Sequence, residues 1–435
     1  MVPTWSVLKG LKIGSRSPGV CPPRPKNLPL ASLLKLCIRL LPLPARPNCR
    51  CPISPLESLY TTHMPARNTP LKYGYTNDYI KRVARAIHGS CPQLDQGLFV
   101  RSILSGDWDE LELKDRMKRI SATIDDALPA DFRKALDLLE SAVPKFKNYH
   151  AMFFPDFLER RVTRDFEASW QLAAAAMARY TEHSSSEFAV RPMILHDQPR
   201  MLAEMQKWTQ NSCEHIRRLA TEGCRPRLPW AMALPPLKRD PEPILPILEA
   251  LRDDTSEYVR RSVANNLNDI AKDHPTRVLG IAERWLHETP SNCSASDRRR
   301  LVKHACRTLL RAGDPRAMPL FGFRDPTSIT VENFRLDQTS IKLGESIEFA
   351  FRIGGDAPIG RVRVDYAVFY QKANGKLSPK VFKISEFDCK TAERAISRRH
   401  KFRDLSTRKH HAGPHQIELR INGVAKAKLG FELRI

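Results

Sequence analysis

The chain has 435 residues, with 71 Lys or Arg against 48 Asp or Glu, a formal net charge of +23 and a pI near 9.8. That excess points to a polyanionic partner, nucleic acid before acidic membrane, and the length fits two or three domains with ample apolar content for a packed core. No apolar run reaches transmembrane length, and the ten cysteines form no CxxC pair and no His/Cys cluster at zinc spacing, so a metal site has no support and a reduced intracellular compartment fits best.

Residues 1–63 differ from the rest: nine Lys or Arg, one acid (Glu57), many prolines and four of the ten cysteines. The nearest thing to an apolar span, LASLLKLCIRLLPLP at 31–45, is interrupted by Lys35 and Arg39. A disordered basic arm, a transit-like leader and upstream sequence ahead of a true start at Met64 all fit this composition. We favour the last and set the segment aside.

From about 75 to 320 the pattern is helical, punctuated at Pro155, Pro192, Pro199, Pro226, Pro275 and Gly313. HIRRLATEG (215–223) and YVRRSVANN (258–266) align with Ile216 and Val259 43 residues apart, and Val302 in LVKHACRTLL lies another 43 on. A repeat of that length with two helices per unit predicts a HEAT-like α-solenoid over 64–323, the second helix of each pair lining the concave face. After Phe323 come short alternating runs with Asn374-Gly375 and Asn422-Gly423 turns. They predict about seven strands in an all-β immunoglobulin-like sandwich over 324–435. Within it, SRRHKFRDLSTRKHH (397–411) reads as a charged loop suited to phosphates or simply to water.

YVRRSVANNLNDIAKDHP (258–275) carries the most information. On a helical wheel Val259, Val263, Leu267 and Ile270 form a buried stripe, while Tyr258, Ser262, Asn265 and Asp269 form a second, flanked by Arg261 and Asn268. Asn and Asp are poor helix formers, so this face is chosen for what it touches unless they are only capping a solvated one. The repeat register puts Arg218, Arg261 and His304 at equivalent positions, and likewise Glu222, Asn265 and Thr308. A basic groove tracks phosphates, yet it holds Glu222 and Asp269, which repel them. Catalysis or recognition of a cation would explain the acids. An Arg218–Glu222 pair at i,i+4 would explain Glu222, and Lys272 at i+3 could pair with Asp269.

Gly223 is expected to end the helix before GCRPRLPW, where Arg225, Arg227 and Trp230 make a plausible phosphate and stacking contact, although a Trp also serves in cores. Glu187, in SSSEFAVRP beside Arg191, is a third acid. Ser184 to Ser186 ahead of it read equally as a helix cap.

Four stretches in order, SSEFAVRP, HIRRLATEGCRPRLPW, DPEPILPILEALRDD and YVRRSVANNLNDIAKDHP, resemble the DNA alkylation-repair glycosylases of the AlkC branch, related to AlkD, over roughly 70–435. The resemblance implies excision of cationic N-alkylated bases, 3-methyladenine and 3-methylcytosine, from double-stranded DNA without flipping the lesion into a pocket. It implies no cofactor, a monomer, and a cytoplasmic, nucleoid-associated protein. It places the acids on Glu222 and Asp269 with Glu187 beside them, and DNA contacts on Trp230, Arg218, Arg225, Arg227, Arg261, Asn265 and Arg191. Thr221 and Cys224 vary from the family pattern with no chemical consequence apparent from sequence. Two alternatives stay open: a non-catalytic HEAT scaffold for nucleic acid or protein, and a protein-interaction solenoid with a basic immunoglobulin-like adaptor, whose binding would not fall steeply with salt.

Overall fold

The computed structural model describes residues 70–404 and 409–435, all within one compact unit. The basic N-terminal extension lies outside the described residues. Helices α1 (Asn77–His88), α2 (Gln96–Leu104), α3 (Leu113–Ala127), α4 (Phe132–Leu139), α5 (Phe153–Val162), α6 (Phe166–Tyr180), α7 (Val190–His196) and α8 (Gln198–Trp208) come first. They are followed by α9 (Glu214–Gly223), α10 (Pro235–Arg239), α11 (Leu245–Ala250), α12 (Glu257–Ile270), α13 (Pro275–His287), α14 (Ala295–Ala305), α15 (Arg307–Ala312) and α16 (Ala317–Leu320). Asp and Ser side chains start many of them: Asp95, Asp131, Asp165 and Asp197 each accept a hydrogen bond from a first-turn amide, and Ser294 with Asp297 closes a capping box. Pro199 and Pro275 sit in first turns, where the missing N–H costs nothing, so these prolines begin helices.

The helices form a HEAT-like solenoid. α9, α12 and α14 pack side by side in one layer, and α8, α11 and α13 pack against them. The 43-residue register is physical: Ile216, Val259 and Val302 are all buried between the layers. The solenoid and the β region have separate hydrophobic cores.

The β region is the immunoglobulin-like sandwich, with strands β1 (Thr330–Leu336), β2 (Ser340–Lys342), β3 (Ser346–Gly354), β4 (Gly360–Gln371), β5 (Leu377–Cys389), β6 (Glu393–Lys401), β7 (Gly413–Ile421) and β8 (Val424–Arg434). They make a three-stranded sheet, β1-β3-β6, and a five-stranded sheet, β2-β8-β7-β4-β5. The expected loop at 397–411 is corrected: its first third is the end of β6, which among the described residues pairs only with β3 and so lies at a sheet edge. Its alternation is hidden because five of its seven exposed residues, Glu393, Arg394, Arg398, Arg399 and Lys401, are charged, which is how edge strands resist further pairing. Residues 405–408 of that run lie outside the described residues.

Asn422-Gly423 forms the tight β7–β8 turn with both residues at positive φ, 45° and 84°. That turn docks onto the end of the solenoid. A Cβ on Gly423 would lie 2.2 Å from the Cα of Gly313, the left-handed cap of α15, and Asn422 Nδ2 donates to the Arg324 carbonyl at 2.9 Å. Gly375 provides a control, with φ of 75° and nothing within 4 Å. Gly375→Ala should cost about 1 kcal/mol in urea unfolding, and Gly423→Ala at least about twice that, because it adds a backbone clash to the same strain. Equal costs would mean that the glycine pair does not fix the docking.

Candidate active site

The apolar stripe of α12 is buried as read, with Val259, Val263, Leu267 and Ile270 all in the core. The polar stripe is less open than expected. Ser262, Asn266, Asn268 and Asp269 are buried, Tyr258 and Asn265 are half-buried, and Arg261 is exposed. The buried amides bolt α12 to its neighbours. Asn266 Nδ2 donates to the Thr221 carbonyl at 2.9 Å, and Asn268 Oδ1 accepts from Thr308 N at 3.1 Å and Thr308 Oγ1 at 2.9 Å. Asn265 Oδ1 accepts from His304 Nε2 at 2.9 Å. Burial, then Arg307, Arg261 and Arg225, hold that imidazole below its ordinary pKa, so it is neutral with its proton on Nε2.

The three acids belong to one chain of alternating charge. Glu187 Oε2 accepts from Arg218 Nη1 at 2.6 Å and from Ser185 Oγ at 2.9 Å. Arg218 Nη2 lies 3.4 Å from Glu222 Oε1, which also accepts from Arg225 Nη1 at 2.6 Å. Arg225 then donates from Nε to Asp269 Oδ2 at 2.9 Å, and Lys272 Nζ closes the chain on Asp269 Oδ1 at 3.0 Å. Glu187, Glu222 and Asp269 are 4%, 5% and 1% exposed. Burial alone would push the Glu222 carboxyl up, but Arg218 and Arg225 beside it and the hydrogen bonds from Ser262 and Arg225 hold it below the usual range. It is therefore ionised at neutral pH. Both pairings anticipated from helical spacing, Arg218–Glu222 and Lys272–Asp269, are present, and the chain offsets each acid with at least one cation.

Thr221 has a consequence after all. Its Oγ1 donates to Ser262 Oγ at 2.5 Å, leaving the Ser262 proton to bond Glu222 Oε2 at 2.5 Å.

Arg225 is corrected from a DNA contact to an internal member of the acid chain, since it is buried between Glu222 and Asp269. Arg191 is corrected too. It is 0% exposed and spends its guanidinium on the carbonyls of Met232 (2.7 Å), Gly223 and Arg225 (both 2.9 Å). It ties down the loop between α9 and α10. Arg227 makes a bidentate pair with Asp273 at 3.0 and 2.6 Å and is half-buried. Gly223 is the last residue of α9 without a left-handed backbone. It is small because a Cβ would come within 2.6 Å of Val190. The Ser184–Ser186 cap is not formed: α7 begins at Val190 with no side-chain cap, and Ser185 bonds Glu187 instead.

At the tip of this loop Trp230 is 60% exposed, so it is no core residue, and its backbone is left-handed with φ of 65°. Such a conformation is strained for a bulky side chain. Lys114 Nζ pins its carbonyl at 2.7 Å. Its indole meets the ring of Tyr149 edge to face, 6.3 Å between centroids. Tyr149 and Lys114 were not anticipated. They come from α3 and from a short turn before α5, and no periodic pattern singles them out.

Toward the sandwich, a cleft of about 430 Å³ opens between α12, α14 and α15 on one side and β4 and β5 on the other. Arg261, Arg307 and Arg311 line it and form no ion pair among the described residues, whereas Lys303, Arg363 and Lys383 converge on Glu386. Arg307 and Arg311 extend the basic surface read from Arg261.

A helical solenoid bearing buried paired acids beside exposed aromatics and unpaired arginines, joined to an immunoglobulin-like sandwich, defines a class, and comparison with known proteins agrees. A family model described as DNA alkylation repair enzyme matches residues 116–300, and a model of the C-terminal immunoglobulin-like domain of YhaZ matches 330–435. The chain is similar to a Bacillus subtilis (strain 168) protein called YhaZ, 40% identical over 83% of this chain and 99% of that one. It is also similar to the alkylpurine DNA glycosylase AlkC of Pseudomonas fluorescens, solved bound to DNA containing an abasic-site analogue. The TM-score is 0.77 and the identity 35%, over 84% of this chain and 100% of that one. The chain belongs to the DNA alkylation repair enzyme family, and within it to the AlkC-type DNA glycosylases. Among the described residues no helix is long and apolar enough to cross a membrane.

Proposed function

We propose that this protein hydrolyses the N-glycosidic bond of cationic N-alkylated bases, 3-methyladenine and 3-methylcytosine, in double-stranded DNA, acting as a monomer in base excision repair. The observation that carries the reading is the alternating chain, which holds Glu222 ionised, together with the exposed, strained Trp230, whose neighbour Tyr149 lies within electrostatic reach of Glu187 and Glu222. An alkylated base that already bears positive charge departs without a general acid. The sugar left behind is oxocarbenium-like, and a fixed carboxylate stabilises it more than water would. Water then adds to the sugar carbon, its proton passing to Asp269 or Glu222, so the products are the free base and an abasic site. Glu187 keeps Arg218 between the acids. Trp230 stacks on the DNA, and Arg261, Arg307, Arg311 and the sandwich side of the cleft take backbone phosphates. Arg227 joins them if its pair with Asp273 opens.

The second reading, a nucleic-acid scaffold without activity, draws on one observation: Asp269 is almost fully covered and satisfied by two cations. The readings separate in base release from two duplexes, one carrying a cationic N3-methylated base and the other a neutral lesion such as hypoxanthine. We expect release of the cationic base only. Equal release of both would overturn the mechanism, and release of neither with binding intact would favour the scaffold.

A further inference from the structure

Tyr149 is unexplained by the fold. Its ring is 48% exposed, so it contributes little to the core, yet the chain holds it firmly. Asn148 before it is left-handed with φ of 68°, its N–H donates to the His183 carbonyl at 3.0 Å, and its carbonyl accepts from Ser184 Oγ at 2.9 Å. The turn that carries Tyr149 is thus stapled to the segment that delivers Glu187. From there the ring lies edge to face with Trp230, at 64° between planes. Its phenol lies within electrostatic reach of Glu187, Arg218 and Glu222, with burial the larger influence on its ionisation. Two exposed aromatics, Trp230 on strained backbone with its carbonyl held by Lys114 and Tyr149 directly after the left-handed, hydrogen-bonded Asn148, meet beside the acid chain. Burial would not select that arrangement.

We infer that Tyr149 is a positioning residue for excision. Its ring buttresses the indole of Trp230 and fixes the orientation in which that indole meets the nucleotide losing its base. Edge-to-face contact sets the angle of the indole as well as its place, which a flexible loop tip would not do alone. The π-face so oriented is suited to a sugar or base carrying positive charge. The role needs the ring more than the hydroxyl.

The inference rests on the glycosylase reading, and the test separates the two. In the full chain, single-turnover release of a cationic base is measured for the parent, Tyr149→Phe, Tyr149→Ala, Trp230→Ala and the double alanine variant. Phe should stay within about threefold of the parent. Tyr149→Ala should slow release by roughly 10- to 30-fold with duplex affinity and unfolding midpoint unchanged, and the double variant should be no slower than Trp230→Ala alone. Parental release by Tyr149→Ala, or losses that multiply in the double variant, would overturn the inference. If the parent releases no base, the glycosylase reading fails, and the buttress is read without activity. Acrylamide quenching of the Trp230 emission, isolated by difference from Trp230→Phe, should rise in Tyr149→Ala. Unchanged quenching would refute the buttress.

Discussion

Asp269→Asn should leave duplex binding within about twofold and slow base release by roughly 10²- to 10³-fold, the scale of losing one preorganised electrostatic group at a reacting centre. The substitution is nearly isosteric. The amide oxygen can still accept from Arg225, while the amide NH₂ turns toward Lys272, whose partly exposed side chain can swing into solvent. Local structure therefore survives and the negative charge does not. Single-turnover release measured beside binding to an abasic-site duplex checks this, and a variant that releases base at the parental rate would remove Asp269 from the chemistry.

The largest stability effect should come from Arg225→Ala, at about 3–5 kcal/mol, because it leaves Glu222 and Asp269 buried without the cation they share. Arg227→Ala, which breaks a half-exposed pair with Asp273 two residues along, should cost only about 0–1 kcal/mol. The effect has a definite pH dependence. In the parent the Glu222 carboxyl is held down, so its contribution to stability is full above the ordinary carboxylate range and is lost as pH falls through the lowered value. Without Arg225, burial drives the Glu222 carboxyl upward and it protonates more readily in the folded state. The deficit of Arg225→Ala should thus be greatest at neutral pH and shrink toward about pH 4. Urea midpoints at the two pH values test it, and a deficit that is small or independent of pH would contradict the shared-cation account.

Much of this architecture is legible in the residues. The α12 stripe, the 43-residue register and the Asn422-Gly423 turn each follow from a local rule, and each rule acts on neighbours along the chain. The site is legible only where the register carries its face from one repeat to the next, as from Glu222 to Asn265 and, one turn on, Asp269. Arg191 and Arg225 read as basic groove residues because sequence shows charge and not burial; Arg191 is consumed by carbonyls more than thirty residues away, and Arg225 is shared between Glu222 nearby and the distant Asp269. Ser184–Ser186 carry a capping pattern that Glu187 overrides by taking the Ser185 hydroxyl. Tyr149 reaches the site from a turn with no periodicity, and β6 is concealed by its own charges. Gly223 followed the usual rule for helix ends, but its cause is the close approach of Val190.

The most direct measurement is single-turnover release of a cationic base from methylated duplex DNA by the full chain, followed from about pH 8 to about pH 5, above the range in which carboxylates ordinarily titrate. Ionised carboxylates acting on a base that is already charged predict release at a rate nearly constant across that span. No release, or a rate that climbs steadily toward acid as a general-acid mechanism requires, would contradict the account.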